Sequence, residues 1–168
     1  SIRDCVNRES HYFNGKRNLL TLLEANEPPK VTLSHSKLTL QVRPGSSAIK
    51  KVQVLDEWYR KQLQDTLPSI INKWEKVLNV SISKVSVRKM KTRWGSCTPE
   101  NNHIRSNLEL AKKPLGCLEY IVVHEMIHLI EPTHNHKFVE LMDKYMPKWR
   151  FYRDELNLLP VRHDDWKY

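Results

Sequence analysis

Residues 124–134, HEMIHLIEPTH, hold two histidines four positions apart, with a glutamate directly after the first. On a helix, positions i and i+4 share a face, so the rings of His124 and His128 can bring nitrogens to one Zn²⁺ at about 2.0–2.1 Å. Glu125 is rotated from His124 by roughly 100°. It borders the metal instead of binding it, and is expected to act as general base on a zinc-bound water, whose pKa zinc brings to about 7. A catalytic zinc site takes three protein ligands and keeps one position open. Pro132 should end the helix, after which the chain can return His134 as the third ligand. His136, Glu131, Glu140 and Asp143 lie near enough in sequence to compete. The spacing from His128 to His134 matches the pattern H-E-x-x-H-x-x-G-x-x-H. Glu131 stands where that pattern has glycine, so its turn is not expected to form in the same way.

Leu118, Ile121, Val122, Val123, Met126, Ile127, Leu129 and Ile130 point around most of the circumference of the helix that would carry this motif. A helix apolar nearly all round is usually buried, and burying a carboxylate and two imidazoles without partners costs several kcal/mol. A bound metal resolves that cost. The alternative is two core histidines with an ion-paired Glu125.

Pro114 suits the first turn of this helix. Upstream, Asn14-Gly15 between apolar segments signals a hairpin. A second hairpin is expected to turn at Ser34–Lys37, with Leu38, Leu40 and Val42 alternating. Ser46 or Ser47 should cap a helix running from Ala48 to about Leu78, which Pro68 is expected to kink or split. Val85 and Val87 mark a strand, and TRWGSCTPENNHIRSNLEL reads as strand, turn at Pro99–Asn102, and strand. Two helices, KFVELMDKYM and KWRFYRDELNLL, precede a polar tail. The expected fold class is α+β. Residues 1–45 form β-rich hairpins belonging to the same domain as a hydrolase core over 46–168.

The chain has 168 residues, 39% hydrophobic and 28% charged, which is the composition of an ordinary globular protein with a real core. No apolar run reaches the length of a membrane span. Cys5, Cys97 and Cys117 are an odd number without C-x-x-C spacing, which argues for a reducing, cytoplasmic compartment and against a disulfide framework. The chain opens at Ser1, not methionine, so a preceding segment is to be expected. A net charge of +9 favours polyanions, although no dense basic run stands out.

MKTRWGSC, NLELAKKP, CLEYIVVHEMIHLIEPTHN, FVELMDKYMPKW and RDELN together resemble the YgjP-like family of zinc metallohydrolases, over about residues 9–157 and most densely from Lys89 onward. The resemblance implies a zincin-like fold in which His124, His128 and His134 bind zinc and Glu125 is the catalytic base. His136 departs from the family pattern. Arg93-Trp94-Gly95-Ser96-Cys97 is the family's second signature. Arg93 can hold a substrate carboxylate, a phosphate or an oxyanion, and Trp94 reads as an apolar anchor. Ser96 and His136 complete the candidate substrate contacts. His136, Tyr145 and Tyr152 are candidate transition-state stabilisers, each with a packing or surface role as the alternative. Extended substrate is expected to pair with an edge strand around 103–110. Cys97 has no histidine spacing that would make it a nucleophile.

The leading expectation is a metallopeptidase that uses zinc, with cobalt, nickel or manganese as other ions the ligands would take. The first alternative is hydrolysis of nucleoside triphosphates at the same centre, with Arg93 and nearby lysines neutralising phosphate. The second is a binding module with structural zinc and a weak electrostatic association with nucleic acid. Nothing in the sequence speaks to oligomeric state, and no membrane association is expected.

Overall fold

The computed structural model describes Cys5 and residues 7–158. The elements run β1 (Ser10–Phe13), β2 (Lys16–Glu24), β3 (Lys30–Ser34), β4 (Lys37–Val42), α1 (Ala48–Leu78), β5 (Lys84–Arg88), β6 (Gly95–Thr98), β7 (His103–Asn107), α2 (Leu115–Ile130), α3 (His136–Tyr145) and α4 (Trp149–Leu158). Short 3₁₀ turns cover Pro99–Asn101 and Leu108–Lys112. The expected α+β class holds. The polar tail, residues 159–168, lies outside the described residues.

Both hairpins form where the sequence places them. Asn14 and Gly15 sit at φ 50° and 78° in the first turn, and His35 and Ser36 at φ 49° and 64° in the second. The two hairpins join through a parallel pair, β2 with β4, giving the order β1-β2-β4-β3. Leu20, Leu38, Leu40 and Val42 fill its inner side, and α1 packs against β3 and β4.

Ser47 caps α1, its Oγ accepting from the Lys50 N–H at 3.1 Å, and Asn79 ends it in the left-handed region at φ 54°. The expectation that Pro68 splits this helix is corrected: α1 is continuous over 31 residues. Leu63, Leu67, Ile71 and Trp74 carry one buried stripe straight past the proline. That packing outweighs the single hydrogen bond that proline removes.

The second sheet has the order β5-β7-β6, with β7 parallel to β5 and antiparallel to β6. Strand β7 is therefore central, which corrects the expectation of an edge around 103–110. The edge nearest the motif helix is β6. Asn107, fully buried, ties the preceding loop down: its Nδ2 donates to the carbonyls of Met90 (3.0 Å) and Arg93 (2.7 Å). Pro114 stands one residue before α2, at its N-cap. Helix α2 packs against β6 and β7 on one side, α1 and α4 on others, and α3 over its C-terminal half. Every residue from Tyr120 to His128 is buried, as its all-round apolar pattern requires. Among the described residues, no helix is long and apolar enough to cross a membrane.

Candidate metal centre

His124 and His128 stand one turn apart on α2, 2% and 8% exposed. The helix ends at Ile130, and the chain turns back through Glu131-Pro132-Thr133 to bring His134 over the same face. One ring nitrogen from each histidine lies within 4.8 Å of the others. His128 Nε2 and His134 Nε2 approach to 2.6 Å. His128 Nδ1 lies 3.2 Å from the Glu131 carbonyl, to which it can donate, leaving Nε2 as the atom turned toward His134. Such a backbone partner is what fixes the tautomer of a ligating histidine.

The loop has its own supports. The Glu131 carboxylate accepts from Thr133 Oγ1 at 3.0 Å and from Asn135 Nδ2 at 2.7 Å. Those two donors hold its pKa below the ordinary carboxylate value. Asn135 then caps α3, accepting from the Phe138 N–H at 3.0 Å. Glu131, which replaces glycine in the longer histidine pattern, thus builds a different turn by side-chain hydrogen bonds.

Phe138 is fully buried beneath the three rings: its centroid is 4.4 Å from His128, stacked, and 5.1 and 5.0 Å from His124 and His134. Burial lowers the His128 pKa, and its neighbour His124 adds to the effect. Desolvation, with His128 and His124 adding their charge, brings His134 down to about 4. Metal ligation needs unprotonated imidazole nitrogens, so this donor set fits a divalent ion. His136 is not part of it: its side chain is 87% exposed and pairs with Glu140 at 2.7 Å on the outer face of α3.

Glu125 is 4% exposed, with Oε2 2.9 Å from His124 Nδ1. Burial pushes its carboxyl up, but the charge and hydrogen bond of His124 outweigh that and leave the pKa lowered. Strand β6 lies against it because Gly95 has no side chain. A Cβ there would meet Ile121 Cγ2 at 2.6 Å, the Arg105 carbonyl at 3.1 Å and Glu125 Cγ at 3.3 Å. Two residues on, Cys97 brings its thiol close to Glu125. Burial first, then that carboxylate, pushes the thiol pKa up to about 12, so Cys97 offers no thiolate.

The second signature therefore supplies a wall. Trp94 is fully buried and has no surface to offer a substrate. Arg93 is exposed, and its described hydrogen bond is through its backbone carbonyl. Ser96 Oγ is 3.5 Å from Arg105. Tyr152 packs on Gly116 at the other end of α2, since a Cβ on Gly116 would meet its ring at 2.2 Å. Met142 and Met146 are core residues. Sequence reasoning missed Phe138, Asn135 and the thiol beside Glu125. Only Asn135 carried a signal, as a cap residue ahead of the helical run KFVELM.

The chain belongs to the YgjP-like metallopeptidase domain family, whose description matches residues 1–158. Its fold is similar to that of the metallopeptidase zymogen abylysin from Pyrococcus abyssi, at 17% identity and TM-score 0.53, over 58% of this chain and 98% of that one. The metallopeptidase zymogen jannalysin from Methanocaldococcus jannaschii is 28% identical over 54% of this chain and 89% of that one, at TM-score 0.44. No curated protein matches.

Proposed function

We propose that this chain is a zinc-dependent peptidase, with His124, His128 and His134 as the zinc ligands and Glu125 as the proton-transfer group. The convergence of three imidazole nitrogens within 4.8 Å beside a buried carboxylate carries the reading. Zinc, when bound, supplies Lewis acidity toward water and toward the scissile carbonyl. The remaining work falls to protein groups. Glu125, lowered in pKa and one helical position from a ligand, accepts the proton of the attacking water at a carboxylate oxygen and returns it to the departing amine nitrogen. His124 Nδ1, 2.9 Å from Oε2, orients that carboxylate.

Strand β6 is the site for extended substrate. It pairs only with β7 among the described strands and runs beside Glu125, so a peptide added to its free edge lies next to the proton-transfer group. That Cys5, Cys97 and Cys117 are in no disulfide favours a reducing, cytoplasmic setting.

The test is one mass-spectrometric assay, in which zinc-loaded protein is incubated with a peptide library and nucleoside triphosphates, and Glu125→Ala serves as control. Peptide fragments that appear only with the parent support the reading. Phosphate products dependent on Glu125 would instead assign the same centre to phosphoanhydride hydrolysis. Products that persist in Glu125→Ala would remove the role given to that carboxylate.

A further inference from the structure

We infer that the outward face of the N-terminal sheet binds the phosphate backbone of single-stranded nucleic acid, with Arg8, Arg17 and Lys37 each taking one of successive phosphates and His35 beside them in the same pocket. The pocket is a cavity of about 470 Å³, and Thr21 and Ser36 add hydroxyls to its lining. No carboxylate among the described residues lines it. Among the described residues, Arg8, Arg17 and Lys37 form no ion pair, whereas Lys61, Lys73, Lys89 and Arg150 elsewhere each hold a carboxylate within 4 Å. Arg17 is instead steadied by Ser10, with Nε 2.7 Å from its Oγ.

The register makes the pocket part of a larger surface. Leu19 pairs with Lys37 and Tyr12 with Arg17, so these side chains share the face opposite the buried leucines. Thr21, Thr39 and Thr32 lie side by side across three strands of the same face, and Lys30 follows beside Gln41. The face therefore carries cations, hydroxyl donors, a half-exposed tyrosine ring and the exposed side chains of Leu19 and Leu23, with no acidic residue at an outward strand position. Guanidinium groups and hydroxyls suit phosphate oxygens. An open sheet face with an exposed ring suits an unpaired strand, whose bases can stack. With one aromatic, binding rests on the backbone, so it is indifferent to sequence and steep in salt. An acidic polypeptide would use the cations but not Tyr12.

The surface does not depend on the metal centre, and its test uses no peptidase readout. Fluorescence anisotropy of a labelled mixed-sequence 20-nucleotide single strand would be followed from about 50 to 200 mM salt, with the full chain and two charge-matched variants. Arg8→Ala/Arg17→Ala/Lys37→Ala removes three phosphate contacts. The slope of log K against log salt should flatten by about 2, three times the roughly 0.7 per phosphate of single strands, with at least ten-fold weaker binding. Lys50→Ala/Lys51→Ala/Lys76→Ala, with the same change in net charge on α1, should lose less than about three-fold. Circular dichroism establishes that each variant is folded, and the single change Lys37→Gln, expected to flatten the slope by about 0.7, serves if the triple is not. Equal losses in the two triples, no binding by the parent at the lowest salt, or a poly-glutamate competitor as effective per charge as unlabelled oligonucleotide would each overturn the inference.

Discussion

Gly95→Ala tests whether the approach of β6 to α2 is what positions Glu125. The added methyl would lie 2.6 Å from Ile121 Cγ2, 0.8 Å inside a 3.4 Å contact, and 3.3 Å from Glu125 Cγ. Ile121 is fully buried, and the third neighbour is the Arg105 carbonyl, so neither can simply swing aside. Overpacking of this kind costs about 1–3 kcal/mol. The strand must then back away from the helix, which loosens the wall against which Glu125 is held. Since a misplacement near 1 Å can cost about 10²-fold in rate, a shift of tenths of an ångström should cost roughly ten-fold in Glu125-dependent turnover. Metal affinity should hardly change, because no ligand lies on β6. Urea denaturation and peptide-cleavage kinetics measure the two effects. Adding Ile121→Ala removes the clashing methyl, so the double variant should be more stable than the two single losses summed. Strict additivity, or a Gly95→Ala protein within about 0.5 kcal/mol of the parent at unchanged turnover, would refute the reasoning.

Four further outcomes follow from the same geometry. Asn135→Ala removes the α3 cap and a Glu131 partner, so stability should fall by about 1 kcal/mol and zinc affinity by about ten-fold in a chelator competition; unchanged affinity would mean that the loop does not need this side chain. Phe138→Ala, which opens the floor beneath the three histidines, should cost about 3–5 kcal/mol in thermal unfolding, and a loss below 1 kcal/mol would contradict its full burial. Pro68→Ala should stabilise α1 by up to about 3 kcal/mol, because the helix already runs unbroken past that position; destabilisation would show that the proline is needed there. In the metal-free protein, His128 and His134 hold protons less tightly than the unfolded chain does. The unfolded state therefore binds more protons below pH 6.5, and stability should fall as pH drops from 6.5 toward about 4, as urea titrations at fixed pH would reveal.

What was legible in the chain and what was not divides along the range of the interactions. The histidine pair, the carboxylate between them and the helix that buries them are written within sixteen residues, because a 3.6-residue period and metal-ligand reach are both local. The hairpin turns were equally local, fixed by Asn14-Gly15 and by the Ser34–Lys37 segment. Pro68 misled because the sequence shows the missing N–H but not the sheet and the second helix that press on the opposite stripe of α1.

The edge beside Glu125 was assigned to the wrong strand for a related reason. HIRSN has the better strand pattern, yet good pattern marks burial, and β7 is buried because it has a neighbour on each side. The strand left with a free edge is GSCT, four residues of small and polar side chains that no periodicity would choose. Its chemistry depends on being inconspicuous. A side chain at Gly95 would push β6 off α2, and a longer, apolar strand would expose an edge that invites aggregation. A site that must admit an extended chain next to a buried carboxylate needs a short edge and a missing side chain, and each of these weakens the sequence signal by which strands are recognised.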